Sequence, residues 1–221
     1  MNLTVFDLDH TLLDGDSDVL WCDFLVQQGR LDHDEFMPRN RAMETGYRSG
    51  TVSTQDFCAF YVGLLAGLSV QDWQPLCQQF LHHWVAPRIP APAQALVQRH
   101  QAQGDVVVLS TATNRVITQL TAQHLGIAHL IATECEQTPD GRLTGKVSGT
   151  ANMRDGKIVR LQAWLAQRGT TLEACKSRFY SDSMNDLPLL SVVNHAVVVN
   201  ADPRLADIAQ QRGWPALNLR V

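Results

Sequence analysis

The chain is poor in charge and lacks most of the signals that mark specialised protein classes. Only 18% of its 221 residues are charged, the formal net charge is -4, and no basic run occurs. A protein that tracks a nucleic-acid backbone concentrates lysine and arginine along one face, so no nucleic-acid partner is expected. No stretch approaches 18 consecutive apolar residues, which argues against a membrane-spanning helix. The five cysteines, Cys22, Cys58, Cys77, Cys135 and Cys175, are odd in number and form no C-x-x-C pair. That pattern disfavours a zinc knuckle or a disulfide framework and points to free thiols in a reducing compartment. The eight histidines contain no H-x-x-x-H arrangement, so a zinc site is not expected either. No basic segment followed by an apolar run and a small-residue cleavage site opens the sequence, so no signal peptide and a cytoplasmic location are the expectation. Internal repeats and low-complexity tracts are absent.

What is present is a globular composition, 45% hydrophobic, in a chain long enough for one substantial core with a smaller companion. The apolar run Leu3-Thr4-Val5-Phe6 reads as a buried strand that delivers Asp7 and Asp9 where the pattern gives way to turn-formers. Alone, such a pair is as well explained by turn capping as by chemistry. His10, between the acids and Thr11, is expected to face away from them as a packing residue. From Gly15 to Val85 the pattern is helical. One apolar helix precedes Gly29, a second segment runs from Leu31 to Gly50, and two helices start at the caps Ser53 and Ser69.

Pro87, Pro90 and Pro92 mark a boundary, after which helix and strand alternate. Strands are predicted at 106–109, 128–132, 178–180 and 196–199, with an edge hairpin at 143–148. Helices are predicted at 93–101, 113–123, 155–166 and 187–192. Alternation of this kind implies an α/β protein with a Rossmann-like, mostly parallel sheet. The all-helical block after the first strand is then an insertion, giving a core of 1–14 and 86–221 and a helical cap of 15–85.

In such a sheet three strand ends would meet along one edge, where open α/β folds place their sites. They carry Asp7 and Asp9; Ser110, Thr111, Thr113 and Asn114; and Ser181, Asp182, Ser183, Asn185 and Asp186. Lys157 begins a helix within reach of the same edge. Four carboxylates in one cleft cannot all be ionised without compensation, and an oxygen-only set asks for a hard divalent cation such as magnesium. A metal, a lysine and hydroxyl donors together suit phosphate, and two neighbouring carboxylates can supply a nucleophile and an acid or base.

The segments Asp7-Leu8-Asp9-His10-Thr11, Thr111, Lys157 and Ser181-Asp182-Ser183-Met184-Asn185-Asp186 resemble, in order, the four motifs of the haloacid-dehalogenase-like hydrolases. The resemblance covers essentially the whole chain, and the helical insertion is similar to the cap of the phosphoserine-phosphatase-like subgroup. It implies that Asp7 is the nucleophile and Asp9 the general acid and base, whose carbonyl also helps hold Mg2+. It further implies that Thr111, with Ser110 as the alternative, binds phosphate, that Lys157 steadies it, that Asp182 ligates the metal and that Asp186 supports the site. Asp16 sits where those enzymes bind a substrate amine; Asn114 and Arg115 follow the second motif and are candidates for substrate selection. Two departures bear on the substrate. Ser181 replaces a glycine, and Phe57 to Leu65 lacks the arginine that would pair with a serine carboxylate, with Arg41 or Arg48 as substitutes from elsewhere. The implied activity is hydrolysis of a small phosphorylated metabolite, L-histidinol phosphate ahead of phosphoserine. A phosphate-sensing domain without turnover and a phosphotransferase are the alternatives.

Overall fold

The structure is a computed structural model that describes residues 1–49 and 51–220; the side chains of Arg48 and Ser49 also lie outside the described residues. Among them the chain forms seven strands: β1 (Asn2–Phe6), β2 (Val106–Asn114), β3 (His129–Gln137), β4 (Leu143–Ser148), β5 (Lys176–Ser181), β6 (His195–Val199) and β7 (Ala216–Leu217). They make one sheet in the order β4-β3-β2-β1-β5-β6-β7, parallel except for the antiparallel edge strand β4. The first strand therefore occupies the centre, which is why its carboxyl end meets those of β2 and β5. Strands β2 and β3 each run several residues beyond the apolar runs that signal them: Ser110 and Asn114 pair with Ile131 and Thr133 on either side of an irregularity, and Glu134 to Gln137 pair with β4.

Strand residues alternate between two apolar layers, as a pleat requires. Phe6, Val107, Leu109, Tyr180, Val197 and Val199 join one cluster, and Val5, Val108, Phe179, Ala196 and Val198 join the other. Helices α5 (Ala91–Ala102) and α6 (Arg115–His124) cover the first face, while α7 (Asp155–Ala166), α8 (Leu187–Leu190) and α9 (Pro203–Arg212) cover the second.

The insertion after β1 comprises α1 (Ser17–Gln27), α2 (His33–Ser49), α3 (Thr54–Gly63) and α4 (Val70–Phe80), closed by a π-helical turn Leu81–Val85. The starts of α1, α3 and α4 have a chemical cause in their caps: Asp16 caps α1, Ser53 caps α3, and Ser69 with Asp72 forms a reciprocal capping box on α4. Trp21, Phe24, Trp73 and Phe80 pack in the same cluster as Phe6 and Leu109, so the insertion grows directly out of the core layer. Its outer part has a small core of its own, Cys22 with Phe36 and Tyr61, and Cys58 packs on Ala151 and Met153 from the loop before α7. No helix among the described residues is long and apolar enough to cross a membrane.

Candidate active site

Asp7 is held by the sheet itself, its amide donating to the carbonyl of Tyr180 at 2.9 Å. After Asp7 the chain turns sharply. The carbonyl of Leu8 accepts from Thr11, Leu12 and Leu13, and His10 takes a positive φ of 56°. Because the backbone has left extended geometry there, His10 lines the cleft, contrary to the expectation that it would face away.

The cleft has a volume of about 170 Å³ and brings together Asp7, Asp9, Lys157, Asp182 and Asp186 with Asp16 and Asp18 from the insertion. A larger cavity of about 560 Å³ between α5 and strands β5 to β7 holds none of these groups. The smaller one has the chemistry. Lys157 lies 2.7 Å from Asp7 Oδ1 and 2.7 Å from Asp186 Oδ2, all three side chains being buried. Burial alone would lower the lysine, but Asp186 and Asp7 raise it above its ordinary value, so the ammonium stays charged. Burial, aided by Asp186 and Asp9, pushes Asp7 up to about 7 against the pull of Lys157.

Lys157 is placed by the loop before α7. Asn152, fully buried, donates to the carbonyls of Thr111 at 2.9 Å and Ile131 at 3.0 Å, tying that loop to β2 and β3. Gly156 is required there, since a Cβ would lie 2.1 Å from the carbonyl oxygen of Ala151. Ser181, in the position where the resembling motif has glycine, donates to Asp186 Oδ2 at 2.7 Å and accepts from the Ser183 amide. The substitution thus adds a bond to the lysine's counter-ion.

Asp182 meets Asp7 through Thr11, whose hydroxyl lies 3.1 Å from Asp182 Oδ1 and 3.3 Å from Asp7 Oδ2. Burial, then Asp7 and Asp186, push Asp182 up to about 8. Among the described residues Asp182 has no cation of its own, so a divalent ion shared with Asp7 would relieve both carboxylates, and the oxygen-only donors suit a hard metal. Among the described residues no group of three or more His, Cys, Asp or Glu side chains forms a metal cage.

Asp9 is firmly oriented. Its Oδ1 accepts from the amide and hydroxyl of Ser17 at 2.7 and 2.6 Å, and its Oδ2 faces the hydroxyls of Thr113 at 3.1 Å and Thr111 at 3.3 Å. Burial and Asp16 push it up to about 6. Thr111 itself is fully buried with its hydroxyl turned to Asp9 and to the Thr113 amide, while Ala112 and Thr113 line the cleft. Ser110 receives the Asn152 amide group at 3.1 Å and does not line the cleft.

Two selection candidates lie outside the cleft lining. The side chain of Asn114 caps α6 by accepting from the Ile117 amide at 3.3 Å, and Arg115 binds Glu134 at 2.7 Å and the Leu130 carbonyl on another face. A helix start and an ion pair consume both. Asp16 lines the cleft while also capping α1. Among the described residues no arginine lines the cleft; Arg41 is exposed on α2, and the Arg48 side chain lies outside the description. Arg154, at the mouth, stacks 4.9 Å over Tyr47 and donates to Asn185 at 3.2 Å.

A parallel sheet whose central strand ends in an aspartate bridged by lysine to a second aspartate, beneath a helical insertion, defines an α/β enzyme that works with carboxylates and one ammonium. The family profile described as haloacid dehalogenase-like hydrolase matches residues 4–191. The chain is 39% identical to a histidinol-phosphatase of Neisseria meningitidis serogroup C over 99% of both chains. It is 30% identical to phosphoserine phosphatase SerB1 of Mycobacterium tuberculosis, covering 98% of this chain and 70% of that protein. A crystal structure of a protein of unknown function from Bordetella pertussis Tohama I superposes with a TM-score of 0.95 at 41% identity, covering 99% of each. A substrate-bound phosphoserine phosphatase shares the fold, with a TM-score of 0.67 at 16% identity over 99% of this chain and 93% of that one. The chain belongs to the haloacid dehalogenase-like hydrolases. It is a phosphatase-type enzyme of that family, whose members generally use magnesium.

Proposed function

We propose that the protein is a magnesium-dependent phosphomonoesterase that works through an aspartyl-phosphate on Asp7 and acts on a small phosphorylated amino-alcohol, L-histidinol phosphate before others. The observation that carries the reading is the Lys157 ammonium shared between Asp7 and Asp186, with Asp9 held two residues away. A carboxylate beside a fixed positive charge can approach a phosphoryl group that its own charge would otherwise repel.

In the first half-reaction a carboxylate oxygen of Asp7 bonds to phosphorus as the ester P–O bond breaks, and Asp9 gives its proton to the departing alcohol. In the second, Asp9 takes a proton from water whose oxygen attacks phosphorus, freeing Asp7 and phosphate. Asp9 has to lose and regain one proton per cycle, and a carboxyl pushed up to about 6 is suited to both. Lys157 stays protonated throughout and balances charge on the phosphoryl oxygens. Asp7, Asp182 and the Asp9 carbonyl would hold the magnesium ion, which neutralises phosphate charge when bound. Thr111 is kept as the second-motif group, and Asp186 as the anchor of Lys157.

Residues 15–85 are read as a cap over a core of 1–14 and 86–221, with its aromatic residues Tyr47 and Phe57 closing the cleft. The choice of an amine over a carboxylate rests on the acids at the insertion side of the cleft and on the absence of an arginine among its described lining residues. The name and 39% identity of the Neisseria relative support the same substrate. The test is initial rates with magnesium on an aryl phosphate, L-histidinol phosphate, O-phospho-L-serine and sugar phosphates. Preference for L-histidinol phosphate is expected. Preference for phosphoserine would overturn the substrate, and no hydrolysis of any would overturn the enzyme.

A further inference from the structure

We propose that Asp18 is a second specificity-determining carboxylate of the cleft, which accepts an N–H from a basic nitrogen of the substrate alongside the contact offered by Asp16. The inference rests on the phosphomonoesterase reading above and adds the chemistry of the half of the substrate that is not phosphate.

Asp18 stands in the first turn of α1 and lines the cleft. One of its oxygens, Oδ2, lies 3.2 Å from the Thr113 hydroxyl. The other, Oδ1, is buried and has no hydrogen-bond partner among the described residues. A carboxylate oxygen removed from water without a donor is unfavourable, and folded proteins seldom keep one unless something completes it. The neighbouring acids differ in what holds them. Asp9 is taken by Ser17, Thr111 and Thr113, and Asp16 Oδ1 accepts the amides of Asp18 and Val19 at 2.9 and 3.0 Å. No lysine or arginine among the described lining residues faces this end, since Lys157 is committed to Asp7 and Asp186, and His10 is the other basic side chain of the cleft.

Three carboxylates, Asp9, Asp16 and Asp18, thus crowd the insertion side of a small cleft, and the metal proposed at Asp7 and Asp182 sits with the other group of acids. What this end calls for is a positive charge or an N–H brought by the ligand. The walls narrow the choice further. Tyr47 and Phe57, with ring centroids 4.4 Å apart, line the same space with Met153. Aromatic walls favour a flat ring or a cation over an aliphatic polyol. The ligand class is a phosphomonoester whose alcohol carries two basic nitrogens, one of them in a planar ring; sugar phosphates offer neither, and phosphoserine brings a carboxylate where acids already stand.

A different role for Asp18 has a different signature. Through Thr113 it could merely steady Asp9, and its loss would then slow every substrate equally. The experiment compares kcat/KM of the wild type and of Asp18→Asn, an isosteric change that keeps the Thr113 contact, on L-histidinol phosphate, 2-aminoethyl phosphate and 4-nitrophenyl phosphate with magnesium. The ratio of L-histidinol phosphate to 4-nitrophenyl phosphate is expected to fall about 10- to 100-fold in the variant, mainly through KM, as for loss of a hydrogen bond to a charged group. The ratio for 2-aminoethyl phosphate, which has one nitrogen, should fall less. A ratio unchanged within twofold would overturn the proposal.

Phosphate-free L-histidinol supplies a second measurement that needs no mutant. It should inhibit wild-type hydrolysis of 4-nitrophenyl phosphate competitively, and imidazole-free 2-aminoethanol should be at least tenfold weaker; equal weakness of both would also overturn it. Wild-type enzyme that hydrolyses none of the phosphates would instead sink the phosphatase reading itself.

Discussion

The two ends of the cleft are built on opposite principles. At the phosphate end, Lys157, Asp7, Asp186, Ser181, Thr11 and Asp182 form a connected set in which each carboxylate has a donor at 2.7 to 3.3 Å. At the insertion end, Asp18 keeps a buried oxygen with no partner, and the walls are aromatic. The first end is ready before any ligand arrives; the second is completed by one. The contrast follows the chain: the connected acids come from the sheet's strand ends, and the unpaired one comes from the insertion.

The sharpest way to break the comparison is at the nucleophile. Asp7→Asn keeps the shape but removes the attacking charge, and turnover of 4-nitrophenyl phosphate should drop at least about a thousandfold. Circular dichroism would confirm that the variant is folded; activity near that of the wild type would remove Asp7 from its role. Lys157→Met strikes the same end and leaves two buried carboxylates without their cation. Urea denaturation should register a loss of about 3–5 kcal/mol, the scale for breaking a buried pair from one side. Unchanged stability would mean that the ammonium is not holding the end together.

Asp9→Asn tests proton transfer by leaving group. The loss should be about a hundredfold or more for an alkyl phosphate and clearly smaller for 4-nitrophenyl phosphate, whose leaving group needs little protonation. Equal losses would count against Asp9 as the acid. The pH dependence of stability follows from the raised carboxyls. Asp7, Asp9 and Asp182 sit at about 7, 6 and 8 in the folded protein against 3.8 unfolded. Between those limits the folded state binds more protons, so stability is fully present below about 4 from these groups and is lost as pH rises toward 8. Metal-free protein should therefore melt at a lower temperature at pH 8 than at pH 5.5, and magnesium should narrow the gap. A melting temperature that rises with pH in metal-free buffer would contradict the burial of these acids. The smallest effect is expected at Arg115→Gln, which breaks a half-exposed pair with Glu134. It should cost no more than about 1 kcal/mol and leave substrate ratios as they were.

Sequence alone carried the phosphate end well and the insertion end poorly, for physical reasons. Asp7, Asp9, Lys157, Asp182 and Asp186 announce themselves because each follows a strand or opens a helix with a polar cluster that turn chemistry alone does not require. The sheet was legible in its alternation of apolar runs with helices, though the central place of β1 depends on pairing that no local pattern encodes. Asn114 and Arg115 show that adjacency along the chain is not adjacency in space. Asn114 is spent on the first turn of α6, and Arg115 points to Glu134 nineteen residues onward. Asp18 gave the opposite error. In Asp16-Ser17-Asp18 it looks like ordinary first-turn acid at a helix start, and only packing reveals the oxygen left without a donor. The turn at His10 escaped for a related reason, since a positive φ at a histidine has no reliable signature in composition.

The Tyr47 hydroxyl reaches across from α2 to Asn185 at 3.4 Å, and Asn185 lies between Asp182 and Asp186 on a single loop. Parting the insertion from the sheet here would break that contact to the loop that carries both acids. A Tyr47→Phe protein would keep the ring and lose this tie, leaving the insertion joined to the acid-bearing loop by one hydroxyl fewer.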